Sequence, residues 1–108
     1  MRLKEYQEAT RETAVYPKEM AVYYCALGLI GEAGEIANKV KKVIRDSNSH
    51  ISIERKKHIA DEIGDVMWYV ARLSDELGLS LEAIVNANIT KLLDRKERGV
   101  LKGSGDSR

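Results

Sequence analysis

An all-α fold follows from three features of this 108-residue chain. It holds a single proline, and it shows little β-branched alternation. Long stretches of Ala, Leu, Glu, Lys and Arg carry apolar residues at helical spacing. Four helices are predicted. The first runs from about Leu3 to Ala14 and breaks at Tyr16-Pro17, because the residue before a proline is pushed out of the helical region. The second starts at Pro17 or Lys18, where proline suits a first turn, and ends near Asp46. A polar connection, Asp46-Ser47-Asn48-Ser49-His50, follows. Ser52 is the expected N-cap of the third helix, which reaches about Leu77 and stops at Gly78. Ser80 caps the fourth, from Leu81 to roughly Arg98, with Glu82 in its first turn and Gly99 ending it. Residues 1–99 make one domain. Residues 100–108 form a Gly/Ser-rich tail, expected to be mobile unless something binds it.

Formal net charge is +1, and 32% of residues are charged with the two signs interspersed. That balance argues against bulk attraction to nucleic acid or a membrane surface. No apolar run is expected to approach the roughly 20 residues that span a bilayer, and the polar N-terminus lacks a signal-peptide core. A cytoplasmic protein is the expectation. The one cysteine, Cys25, lies in the apolar stretch Ala21–Leu27 with no flanking cation, and reads as a buried structural thiol. A chain this short builds its core from few elements. The third helix is apolar around most of its circumference, at Ile59, Ile63, Val66, Met67, Trp68, Val70, Ala71 and Leu73. That suits a central bundle helix that also meets another subunit, hence a four-helix bundle-like fold assembled as a homodimer or a dimer of dimers (a homotetramer).

The chemistry concentrates in two acidic pairs. Glu32 and Glu35 sit three apart in Gly28-Leu29-Ile30-Gly31-Glu32-Ala33-Gly34-Glu35, and Glu62 and Asp65 sit three apart in Asp61-Glu62-Ile63-Gly64-Asp65. Three-residue spacing puts each pair on one helix face. Gly28, Gly31, Gly34 and Gly64 lie within these helices, although each glycine costs roughly 1 kcal/mol there relative to alanine. Close approach of the two helices explains them. Four carboxylates facing across a narrow gap would repel strongly, and a divalent cation removes the repulsion. All-oxygen ligation selects Mg²⁺, with Mn²⁺ as substitute. A di-iron bundle is the rival, but it requires Glu-x-x-His motifs that neither pair supplies. His58, one turn before Glu62, faces the same way. Asn88, Lys91 and Arg95 form a polar and cationic stripe on the fourth helix, suited to a polyphosphate shared between metal and cations.

Taken together, these residues resemble the MazG-type nucleoside triphosphate pyrophosphohydrolases, an all-α superfamily that also includes dimeric dUTPases, dCTP pyrophosphatases and phosphoribosyl-ATP pyrophosphatases. The family hallmark is E-x-x-E, a spacer, then E-x-x-D. Here it reads Glu32-Ala33-Gly34-Glu35, twenty-six residues, then Glu62-Ile63-Gly64-Asp65. The likeness extends through Tyr6-Gln7, Thr13–Pro17, Asp65-Val66-Met67-Trp68-Tyr69, Asn88-Ile89-Thr90-Lys91-Leu92 and the Gly103-Ser104-Gly105-Asp106 tail. The tail departs from the pattern at Ser107, where asparagine is usual, and the place of His58 often holds lysine. The resemblance implies hydrolysis between the α- and β-phosphates, with Glu32, Glu35, Glu62 and Asp65 on Mg²⁺ and Lys91 and Arg95 on phosphate. Base recognition would fall to residues such as Gln7, Tyr16, Trp68 and Asn88.

Two further readings compete. In one, the chain is a non-catalytic helical interaction module whose acids only solubilise a bundle. In the other, it is an enzyme specialised for one nucleotide such as dUTP or dCTP.

Overall fold

The computed structural model describes residues 1–108 and is all-helical. Helix α1 (Leu3–Ala9) runs on into a 3₁₀ turn, Thr10–Thr13, and a second 3₁₀ turn, Lys18–Met20, leads into α2 (Ala21–Ser47). Helices α3 (Ile53–Glu76) and α4 (Leu81–Glu97) follow. The first predicted helix therefore ends its α-helical part five residues early. There the Thr10 hydroxyl donates to Gln7 O (2.6 Å) and the Thr13 hydroxyl to Thr10 O (3.2 Å), the local bonding by which such side chains tighten a turn.

The remaining boundaries have visible chemical causes. The Ser52 hydroxyl accepts from Arg55 N, and that of Ser80 from Ala83 N, both at 3.1 Å. Gly78 and Gly99 take φ of +70° and +74°. After each, the next amide donates back over five residues, Leu79 N to Ser74 O (2.8 Å) and Val100 N to Arg95 O (2.9 Å). These are Schellman closures, and only glycine takes the left-handed position without strain.

Helices α2 and α3 form an antiparallel hairpin, since Gly28 meets Tyr69 while Lys39 meets Glu62. Aromatic rings close its far end. Tyr16 stacks on Tyr24 (5.3 Å between centroids) and meets the edge of Trp68 (6.3 Å), and Trp68 lies at 90° to Tyr69. Cys25 is fully buried there, and burial pushes its thiol up. Beneath the rings, the buried Arg72 guanidinium donates to Tyr16 Oη (3.0 Å), Asp75 Oδ2 (2.8 Å) and Glu76 Oε1 (3.0 Å). Arg11 clamps Asp75 from the other side, at 2.9 and 2.8 Å. This network joins the first turns of the chain to the last turns of α3.

A closed four-helix bundle does not form within one chain. Helix α4 packs on α1 and the end of α3 and makes no contact with α2. The radius of gyration is 16.9 Å, against about 13 Å for a compact domain of this size. Only 11 of the 108 residues are buried, so the wide apolar face of α3 stays half-covered. Helix Lys18–Ser47 also has the length for a membrane crossing, with mean hydropathy 1.2 in its richest window, contrary to the expectation of no such run. Glu32 and Glu35 interrupt it, and a charge at that depth of a bilayer costs at least about 2.5 kcal/mol.

In the tail, Arg108 Nε donates to Val100 O (3.0 Å), and Arg95 of α4 donates to Asp106 O (2.7 Å).

Candidate active site

Both acidic pairs sit in mid-helix on the α2–α3 hairpin, where the antiparallel register sets them opposite each other. Glu32, Glu62 and Asp65 each bring a carboxylate oxygen within 4.8 Å of the others. Glu35 is not in this group; it is exposed, one turn along α2 from Glu32. Three carboxylates converge, where four were expected.

The carboxylates raise one another's energy. Partial burial raises the Glu32 carboxyl above its ordinary range, and contact with Glu62 together with the charges of Asp65 and Glu35 raises it further. The cation within reach of the group is Lys39, whose Nζ lies 3.6 Å from Glu62 Oε1. An all-carboxylate donor set with this residual negative charge fits a hard divalent ion. Two tyrosines flank the group and were not singled out by sequence. Burial raises both the Tyr6 and Tyr69 hydroxyls, with added repulsion from Asp65 on Tyr6 and from Tyr24 and Glu32 on Tyr69. Tyr69 was accessible to reasoning, because it lies one turn beyond Asp65. Tyr6 depends on how α1 docks.

The glycines divide. A Cβ on Gly28 would overlap the Tyr69 ring, so this glycine does allow close approach. Around Gly31, Gly34 and Gly64 nothing lies within 4 Å of a Cβ, and helix contact inside one chain does not account for them.

Several candidate binding residues have other roles. Gln7 is buried with its amide fully used: Nε2 donates to Leu79 O (2.8 Å) and Asp75 Oδ1 (3.2 Å), while Oε1 accepts from Leu81 N (2.8 Å). It fastens α1 to the start of α4 and has nothing left for a base. Trp68 Nε1 donates to the Thr13 hydroxyl (2.8 Å), and its ring belongs to the aromatic cluster. The Tyr16 hydroxyl is likewise taken by Glu76 and Arg72. Asn88 is exposed and lines a hollow with Ile84, Ala87 and Lys91. Lys91 and Arg95 do not face the acids within one chain. They hold Asp106 of the tail, each 3.4 Å from its Oδ1. His58 is exposed and lines a cavity with Lys39, Lys42 and Arg55.

An antiparallel helical hairpin carrying E-x-x-E and E-x-x-D, with Glu32, Glu62 and Asp65 converging and Lys39 beside them, defines an all-α protein with a candidate divalent-cation site. The model of the MazG nucleotide pyrophosphohydrolase domain matches residues 24–100, and the chain belongs to that family. It is 46% identical to the Gene 37 protein of Mycobacterium phage L5, over the full length of both chains. It is 36% identical to Uncharacterized protein YvdC of Bacillus subtilis (strain 168), over 64% of this chain and 70% of that one. No solved structure matches it.

Proposed function

We propose that the chain is a Mg²⁺-dependent nucleoside triphosphate pyrophosphohydrolase that converts (d)NTP to (d)NMP and pyrophosphate, in the cytoplasm, as part of nucleotide-pool sanitation. The observation that carries this reading is the convergence of Glu32, Glu62 and Asp65 within 4.8 Å in a chain of the MazG family. These three would hold the ion. When bound, Mg²⁺ supplies Lewis-acid polarisation of phosphate oxygens and a lowered pKa for water.

The chain's own residues do the rest. Glu35, outside the trio and open to solvent, orients the attacking water and takes its proton. The water oxygen bonds to the α-phosphorus, the bond from that phosphorus to the α–β bridging oxygen breaks, and its electron pair leaves with pyrophosphate. Lys91 and Arg95 exchange Asp106 for phosphate oxygens and stabilise the developing charge. Asn88, on the same stripe, contacts the nucleotide.

The active form is a homodimer or homotetramer. Tyr23, Leu27 and Ile30 of α2 and Ile89 and Leu93 of α4 are each 55–70% exposed, an apolar surface that a second copy of the chain would cover. A partner chain there would also bring a cationic stripe to the acids that α4 does not reach in its own chain.

The test is a panel of ordinary and modified NTPs and dNTPs, assayed for pyrophosphate release in ¹⁸O-water. Label in the monophosphate, none in pyrophosphate, is the expected result. A chain that releases no pyrophosphate from any nucleotide, and that Mg²⁺ with a non-hydrolysable triphosphate does not stabilise, is the non-catalytic module instead.

A further inference from the structure

Beside the carboxylate trio, towards the loop that joins α2 and α3, lies a cavity of about 160 Å³ lined by Lys39, Lys42, Arg55, His58 and Ile59. Four of its five lining residues are basic, and they come from two helices. Lys39 and Lys42 project from the last turns of α2, Arg55 and His58 from the first turns of α3. A solvated charge run on one helix face would spread outward into water. Here two short runs, separated in sequence, are turned toward a common hollow, where like charges raise one another's energy.

Their counter-charges are few. Lys39 leans on Glu62, at 3.6 Å, and the side chains of Lys42, Arg55 and His58 make no hydrogen bond or ion pair. Asp46 feels the charge of Arg55 and Lys42, but its carboxylate is gripped by Arg45 at 2.6 and 2.8 Å. Glu54 lines a separate hollow on the outer side of Arg55 and His58. One liquid water occupies about 30 Å³, so the cavity has room for a phosphoryl group with part of its hydration.

Position adds direction. Lys39 borders both the cavity and the trio, and His58 precedes Glu62 by one helical turn, about 6 Å along the axis. An anion held at the trio through a divalent ion and extending along the hairpin enters this hollow next.

We propose that the cavity between Lys39, Lys42, Arg55 and His58 is a phosphoryl site that seats the far end of the substrate's phosphate chain. This rests on the pyrophosphohydrolase reading of the neighbouring acids. It gives the hairpin a cation site and an anion site side by side, and it makes a triphosphate a better ligand than a monophosphate. A free pyrophosphate product uses the same seat.

The test uses inorganic pyrophosphate as probe, read by thermal unfolding in EDTA and as an inhibitor of Mg²⁺-dependent turnover. Wild type is expected to be stabilised by pyrophosphate more than by sulfate at equal ionic strength. Lys42→Ala/Arg55→Ala and Lys42→Glu are expected to lose that stabilisation and to weaken pyrophosphate inhibition at least tenfold, whereas Lys57→Ala, outside the cavity, keeps both. Equal stabilisation by sulfate, or unchanged pyrophosphate binding in the cavity variants, overturns the site while leaving the proposed reaction standing. Pyrophosphate binding that the cavity variants lose, in a protein that hydrolyses no nucleotide, supports the anion site and removes the pyrophosphohydrolase reading.

Discussion

Glu32 on α2 and Glu62 on α3 hold carboxylate oxygens within 4.8 Å of each other across the helical hairpin, with Asp65 completing the group. Like charges at that separation destabilise the folded chain unless a proton or a cation comes between them. Burial, with Glu62 as a close partner, raises the Glu32 carboxyl. A carboxyl raised in the folded state adds stability that is full below its unfolded value, about 4.3, and is lost as pH rises through the folded one. Without metal, thermal stability is therefore expected to fall from acid toward neutral pH, and Mg²⁺ to restore it. Glu32→Gln is expected to melt higher than wild type in EDTA at pH 7, to gain little from Mg²⁺, and to lose turnover. Melting curves with and without EDTA decide it.

Gly28 and Gly64 are expected to answer oppositely to alanine. At Gly28 the added methyl overlaps the Tyr69 ring, and forcing that contact costs about 1–3 kcal/mol. At Gly64 a methyl meets nothing, and the gain in helix propensity stabilises the chain by about 1 kcal/mol. Urea unfolding of both variants measures the difference. A destabilised Gly64→Ala would place another helix against that turn in the assembled protein.

Gln7→Ala is expected to lower stability by about 1–3 kcal/mol, because it leaves Leu81 N and Leu79 O without their partner in a buried joint. Relative turnover across a nucleotide panel stays unchanged. A variant of wild-type stability with altered base preference would return Gln7 to the substrate.

Arg72→Met removes a guanidinium that is 3% exposed and leaves Asp75 and Glu76 without it, at an expected cost of about 3–5 kcal/mol. The same network sets acid sensitivity. Arg11, with Arg72 behind it, holds the Asp75 carboxyl well below the usual carboxylate range. That stability is present above the unfolded value, about 3.9, and is lost as pH falls toward the folded one. Asp75→Asn is expected to flatten the acid limb of the stability profile.

How far these features were readable from sequence depends on the range of the interactions behind them. Ser52, Gly78, Ser80 and Gly99 act on their own turn of backbone, so their roles were legible. The hairpin register follows from a short connection between two long helices, and it brings Glu32 to Glu62 and Asp65. Gln7, Trp68 and Tyr16 looked like recognition residues because polar aromatics and amides near a site read that way. Their partners lie 55 to 74 positions away, and only the docked chain reveals that their polar atoms are spent. The Arg72-x-x-Asp75-Glu76 spacing was visible as helical pairs, but its burial was not. The cationic stripe of Lys91 and Arg95 was legible as chemistry. Its place was not, because α4 leaves the hairpin instead of closing over it.

The most direct test of the central claim is Mg²⁺-dependent pyrophosphate release by wild type and by Glu62→Gln, each first shown to be helical and equally assembled. Release by wild type that EDTA abolishes, falling at least a hundredfold in Glu62→Gln, is the expected result. Near-normal Mg²⁺-dependent release by Glu62→Gln would contradict the assignment of the trio as the metal centre.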